Sequence, residues 1–401
     1  MTTAASARRG RIYFCFADPA GFSGQKAAAE LVLNGLTGRG WSCRRLPQPV
    51  FDRGGGGRMA ALRYLGGVLA AWLRAGRLLG ARGAWLWVGL GQTRVSFLRD
   101  AIPLLFGRVG LGRSRVIVSL NGSVFMQWAN DSREARVFCF LLNNAGRVTV
   151  VGERQRARLI ALGVREDRVV VVVNSCDLKI ASVEAVAAKH PGAANSNGAV
   201  RCLHLSSLID TKGFPEYLEA LHRLAALAGP RIEAVLCGRL VASEFSSRFR
   251  DAASAEAWIE NQIAAINRGA RVRVRWIKGA AGAEKAALFR EAEVFVLPTR
   301  YAVEAQPVVL LEAMASGCAI VTSRAGEITT ILDGDCAVLL ETPGADALAT
   351  ALQTLVTDAS ARARLARAAH VRFVDRYQPE RHWDEWEALL DSAGVAGKGA
   401  R

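Results

Sequence analysis

The chain of 401 residues is 51% hydrophobic and 22% charged, which excludes a disordered or low-complexity protein and suits two domains of about 200 residues each. Its formal net charge is +16, and all the excess lies in the first half: residues 1–180 hold 27 Lys/Arg against 10 Asp/Glu, whereas residues 181–401 hold 25 against 26. Such asymmetry marks a domain that meets a polyanion, either nucleic acid or an anionic membrane surface. The longest uncharged run, Val116 to Asn130, has 15 residues, short of the roughly 20 a spanning helix needs. The eight cysteines occur singly with no C-x-x-C clip, and the five histidines are dispersed. Both patterns point to free thiols in a reducing cytosol and give a zinc site no support.

In chain order, the N-terminal MTTAASARRG lacks the long apolar core of a secretory signal and precedes a strand, RIYFCFA. A helical GQKAAAELVLNGLTGRG follows. Arg58 to Arg82 then reads as a basic amphipathic helix, with Leu62, Leu65, Val68, Leu69, Trp72 and Leu73 at helical spacing and Trp72 opposite Arg63. Two readings stand for it: a helix packed on its own domain, or one seated at a membrane interface with Trp72 on its apolar side. AWLWVGL, VIVSL, VTVVG and VVVVV continue the alternation with helices between them, the mark of parallel strands with crossover helices. Residues 179–199 lose the pattern, becoming small and polar, and read as a linker.

The rhythm restarts with VRCLHLS, IEAVLCG, VRVRWI, VFVLP, CAIVTS and CAVLL, each followed by a helix, and ends in helices near 344–357, 359–376 and 379–391. The expected domains are residues 1–178, a linker 179–199, residues 200–376, and a C-terminal segment 377–401 crossing back to the first domain. Two doubly wound α/β halves place a ligand cleft at the C-terminal ends of the strands. Within VFVLPTRYAVEAQPVVLLEAMASGCAIVTS, Pro307 opens a helix where its missing N–H costs nothing. Free amides from Gln306 to Val309, with Glu304 and Glu312 on either side, suit a ligand with both phosphate and polyhydroxyl parts. Asp333-Gly334-Asp335 imitates a metal-binding D-x-D but lies where a turn is expected, and His204 sits in an alternating strand as a structural residue.

Glu304 and Glu312, eight apart and followed by AMASG and a strand, resemble the E-x7-E signature of retaining glycosyltransferases of family 4, which have the GT-B fold. LSSLIDTKGFPEYLEAL, VVVNSCDL, DPAGFSGQKAA, RVSFLRD and LNGSVF resemble further family segments, the last two those of a cell-surface-polysaccharide subgroup. The resemblance implies two Rossmann-like domains facing each other across a cleft, and a nucleotide-diphosphate sugar donor with no cofactor and no metal. It gives Lys212 the donor diphosphate, Glu312 the ribose hydroxyls and Glu304 the donor sugar. Gln306, Pro307, Val308 and Val309 would lie near sugar and phosphate, and Gly24 would let the first loop approach the diphosphate.

Two positions depart from the family pattern. Ser207 stands where an arginine is usual, and Asn121 where a histidine is common, so Asn121 can hydrogen-bond a sugar hydroxyl but not act as a base. Both also suit plain turns. Lys26, Arg99 and Arg300 are candidates to replace the missing cation. The expected partners are the donor, a lipid-linked or glycan acceptor, and an anionic membrane surface at the inner face of the plasma membrane, with no specific nucleic acid. The alternatives are an epimerase of the same fold, a degenerate glycosyltransferase, and a nucleic-acid binder suggested by charge alone.

Overall fold

A computed structural model describes residues 9–17, 24–50, 58–190, 198–241 and 243–396. The chain divides into two compact units, residues 1–175 with 379–401 and residues 176–378.

The first unit runs β1 (Arg11–Ala17), α1 (Gly24–Gly38), β2 (Ser42–Gln48), α2 (Arg58–Ala75), β3 (Trp85–Gly89), α3 (Arg94–Leu111) and β4 (Val116–Leu120). It continues through α4 (Arg133–Leu142), β5 (Arg147–Val150), α5 (Glu153–Ala161) and β6 (Val169–Val171). All six strands are parallel, in the order β2-β1-β3-β4-β5-β6. Helices cover both faces, which is why the strands read as nearly unbroken apolar runs. In β1, Ile12, Phe14 and Phe16 face one core, while Tyr13 and Cys15 face the other.

The second unit runs α6 (Val183–Lys189), β7 (Ala199–Leu205), α7 (Phe214–Ala225), β8 (Arg231–Cys237), α8 (Ala252–Ile266), β9 (Val272–Ile277) and α9 (Gly282–Glu291). β10 (Val294–Leu297), α10 (Val308–Ala315), β11 (Ala319–Ser323), α11 (Ile328–Ile331), β12 (Val338–Leu340), α12 (Ala345–Thr357) and α13 (Ala359–Arg376) complete it. Its parallel sheet has the order β12-β11-β10-β7-β8-β9. The chain winds outward from β7 on one side and from β10 on the other, so the loops after these two strands diverge at a switch point, where such sheets bind ligands.

α14 (Pro379–Ala396) belongs with the first unit. Its Trp386, Leu389 and Leu390 join Phe14, Leu36 and Trp87 in one buried cluster, and the Trp383 indole donates to the Leu31 carbonyl at 3.1 Å. His382 Nδ1 bonds the Val173 carbonyl at 2.7 Å while Nε2 accepts from Trp386. Burial pushes its pKa down to about 4, so the ring stays neutral.

Two details go beyond the sequence reading. The stretch 179–199 is not all linker: α6 forms within it, its first turn capped by the Ser182 hydroxyl accepting from Ala185 N at 3.2 Å. Its alanines favour helix without large apolar residues to announce it. Trp72 does not anchor outward. Its indole N–H donates to the Arg99 carbonyl at 2.9 Å, so it packs α2 onto α3.

Candidate functional site

The loop after β7 delivers Lys212. Gly213, at φ 90°, ends the turn, and a Cβ there would come within 2.5 Å of the Pro298 carbonyl oxygen, so only glycine lets the β7 and β10 loops meet. Asp210 is buried, and its carboxylate accepts from the amides of Thr211 and Ser247 at 2.7 Å each and of Arg248 at 2.5 Å. The Arg300 amide donates to the Thr211 carbonyl at 2.8 Å. These bonds hold Lys212 beside the β10 loop. Its Nζ lies 3.4 Å from Glu304 Oε2 and 5.1 Å from the centre of the Tyr301 ring.

Glu304 is itself fixed from below. The fully buried Thr299 hydroxyl donates to Glu304 Oε2 at 3.2 Å, and Thr299 is held in turn by the Ser323 hydroxyl on its carbonyl. A buried carboxylate shared between a hydroxyl and an ammonium is an acceptor positioned for further donors, and the ammonium beside it is a ready counter-ion for an anion. Pro307 occupies the N-cap of α10, one position earlier than expected, and the helix begins at Val308. The first-turn amides of Val308 and Val309 have no acceptor within the helix. Pro307 has no N–H to offer, so the donor row expected over Gln306 to Val309 is broken there.

Glu312 lies in the second turn of α10 and is almost fully buried. One oxygen takes the Lys285 ammonium at 2.6 Å; the other, Oε2, has no hydrogen-bond partner among the described residues. Asp177 approaches the same ammonium at 3.7 Å. Burial raises the Glu312 pKa to about 6, opposed by Lys285. Burial also pulls the Lys285 pKa down, but Glu312 and Asp177 more than offset this and leave it raised. A buried acceptor atom without a donor carries a desolvation cost, so this oxygen is where a ligand hydroxyl would be most welcome.

The structure thus brings Lys212 and Glu304 into direct contact and places Glu312 on the helix that follows. Ser207 follows β7 half-buried, its carbonyl accepting from Ile209 N at 2.9 Å. Gln306 is buried in the loop before Pro307. Gly24 and Asn121 belong to the first unit. Gly24 is the first residue of α1, and among the described residues nothing lies within 4 Å of where a Cβ would sit; residues 18–23 before it lie outside those described. Asn121 follows β4 in a turn where Gln92 and Gln155 both donate to the Gly122 carbonyl, at 2.9 and 3.2 Å.

Two of the proposed substitute cations are already engaged. Arg99 is buried and bidentate on Asp100, at 2.7 and 2.8 Å, and Arg300 pairs with Glu216. His204 is buried, stacked on Tyr217 and pushed down to about 3 by that burial, and Asp333 accepts from the Asp335 amide in a local turn.

Thr299, Asp177 and Asp210 lie inside segments quoted from the sequence but receive no role there, and Lys285 lies outside them all. Lys285 falls on the buried stripe of α9 with Leu288 and Phe289, an odd place for an unpaired lysine.

Residues 187–372, all within the second unit, match the family described as glycosyl transferases group 1. A 113-residue stretch is 36% identical to the D-inositol 3-phosphate glycosyltransferase of Stackebrandtia nassauensis, covering 28% of this chain and only a quarter of that relative. Among solved structures, HepE of Anabaena in complex with UDP and glucose superposes with a TM-score of 0.67 at 17% identity, over 95% of this chain and 99% of that one. Sucrose-phosphate synthase of Thermosynechococcus elongatus gives 0.70 at 17% identity, over 97% and 100%. Two six-stranded parallel sheets and these neighbours identify the fold as GT-B.

Proposed function

We propose that the chain is a retaining, metal-independent glycosyltransferase moving a sugar from a nucleotide-diphosphate donor to a lipid-linked or polysaccharide acceptor in cell-envelope biosynthesis. The observation that carries this reading is the cation–carboxylate pair of Lys212 and Glu304 at the β7/β10 switch point, beside a helix whose Glu312 keeps an unpartnered buried oxygen. The two halves of a nucleotide sugar need opposite chemistry. A diphosphate needs positive charge, which Lys212 and the amides of Val308 and Val309 supply. Sugar and ribose hydroxyls need acceptors, which Glu304 and Glu312 supply.

When the bond from the anomeric carbon to the diphosphate oxygen breaks, charge builds on the departing diphosphate. A positioned lysine and amide dipoles stabilise that charge without reorganising. This division leaves no step that calls for a cofactor. Retention of anomeric configuration and the family 4 assignment rest on the resemblance of the E-x7-E segment. The UDP held by HepE makes a UDP-sugar the first donor to test. The acceptor would be bound by the basic first unit, residues 1–178 in the sequence-based division, with Asn121 on its sugar hydroxyls and the protein peripheral at the cytoplasmic face of the plasma membrane.

Screening UDP-, GDP- and TDP-sugars by thermal denaturation tests the donor half. A ligand at a hundredfold excess over its Kd adds about 2.7 kcal/mol, a rise of about 5–10 °C for a unit of this size. The expected result is such a rise with one nucleotide class, abolished by Lys212→Ala, and turnover undiminished by EDTA. No rise with any of the three overturns the proposal.

A further inference from the structure

Met59, Leu62, Leu65, Leu69 and Leu73 of α2 are 56–74% exposed. At about 100° per residue they fall within an arc of about 120°, away from the packed face made by Val68, Ala71 and Ala75. α3 repeats the device: Val95, Leu98, Leu105 and Val109 are 50–68% exposed, at the same relative spacing as Met59, Leu62, Leu69 and Leu73. The bond from Trp72 to the Arg99 carbonyl ties the two helices together next to Leu73 and Leu98. Single exposed leucines need no explanation; a double ridge of nine large apolar side chains on neighbouring helices marks an interaction surface.

The charge around the ridges selects the occupant. Arg58, Arg63, Arg77, Arg82 and Arg108 are exposed on or beside these helices, and Arg94 is exposed but paired with Glu134. The only carboxylate between residues 58 and 111 is Asp100, which is buried and taken by Arg99. A second copy of the chain would press arginine against arginine. Apolar side chains rimmed by arginines suit an interface of acyl chains and anionic headgroups, where leucines enter the hydrocarbon boundary and guanidinium groups stay at the phosphates.

We infer that the exposed ridges of α2 and α3 dock the protein on an anionic lipid bilayer, with leucines rather than Trp72 as the inserted groups. The inference deepens the membrane part of the proposed function and rests on that reading only for which bilayer is met.

The test is co-sedimentation of the full chain with vesicles of phosphatidylcholine alone or mixed with phosphatidylglycerol. Binding is expected only to the mixed vesicles. The triple variant L62Q/L69Q/L73Q should weaken it by at least about tenfold with an unchanged melting temperature, since these side chains are exposed. R63Q/R77Q should weaken it and flatten its salt dependence. Binding that ignores phosphatidylglycerol, or that the leucine triple leaves intact, overturns the inference. So does a concentration-dependent dimer that the triple dissolves, which would assign the ridges to a second copy. The thermal shift with a UDP-sugar, measured on the same triple, separates the two proposals: vesicle binding without that shift sinks the enzymatic reading alone, and the shift without vesicle binding sinks only the docking surface.

Discussion

Glu312 Oε2 can accept one more hydrogen bond, and a ribose hydroxyl is the donor the proposed function brings to it. A hydroxyl bonds an ionised carboxylate more strongly than a neutral one. With its pKa raised to about 6 by burial, UDP affinity is expected to fall as pH drops through that value, which isothermal titration would show; a flat profile would place the ribose elsewhere. The folding linkage has its own sign. Because the native pKa lies above the ordinary carboxylate value of 4.5, the native state holds this proton longer, and the carboxyl's contribution to stability is lost as pH rises through about 6. Lys285→Met strands the carboxylate, and removal of one partner from a buried pair costs about 3–5 kcal/mol. Adding Glu312→Gln should recover most of that in urea denaturation. Recovery that fails would mean Lys285 acts through its other contacts. Glu304, Glu312 and Lys212 were legible because a short loop and a glycine turn carry them. Lys285 was not, because a bond across 27 residues leaves no local spacing, and lysines on helices are ordinarily solvated. Arg99 misled for the converse reason: nothing in RVSFLRD says that its neighbour Asp100 would be buried with it.

At the scale of elements, the alternation of β-branched runs and helices made both parallel sheets readable, because strands buried on both faces cannot hide their apolar run. What periodicity could not decide was which apolar arc of α2 packs. Its inner face is built from small residues, Val68, Ala71 and Ala75, which let α2 lie close, while its larger leucines point outward. A rule that ranks arcs by size chooses the wrong one. α1 and α14 show the same preference for small residues at close contact. Gly35 of α1 lies directly under the Trp383 ring, and a Cβ at that position would overlap the indole. Gly35→Ala, ordinarily favourable in a helix interior, is therefore expected to destabilise by about 1–3 kcal/mol through overpacking. Combining it with Trp383→Phe should return part of the loss. A Gly35→Ala protein as stable as wild type would show that α14 shifts freely over α1.

For the whole molecule, the consequence lies in the chain's route. It leaves the first unit at Ser175 and returns to it at Pro379, so the last helix contributes core to a domain whose other residues lie more than two hundred positions earlier. Trp386, Leu389 and Leu390 pack on Phe14 and Trp87, and Arg39 and Trp41 both bond Glu387, at 2.9 and 3.0 Å. The aromatic spacing in RHWDEWEALL hints at a buried face, but which sheet it covers depends on contacts with no local signature. Truncation after Gln378 should uncover the β1–β3 face while leaving the core of the second unit whole. Three large side chains at roughly 2 kcal/mol each approach the full stability of a domain of this size, so the first unit of the truncated protein is expected to unfold or be cut rapidly by protease. The second unit should survive as a resistant fragment that a UDP-sugar still stabilises. Equal protease resistance of both units in the truncated chain would show that α14 is an accessory layer, and that the first unit's core closes without it.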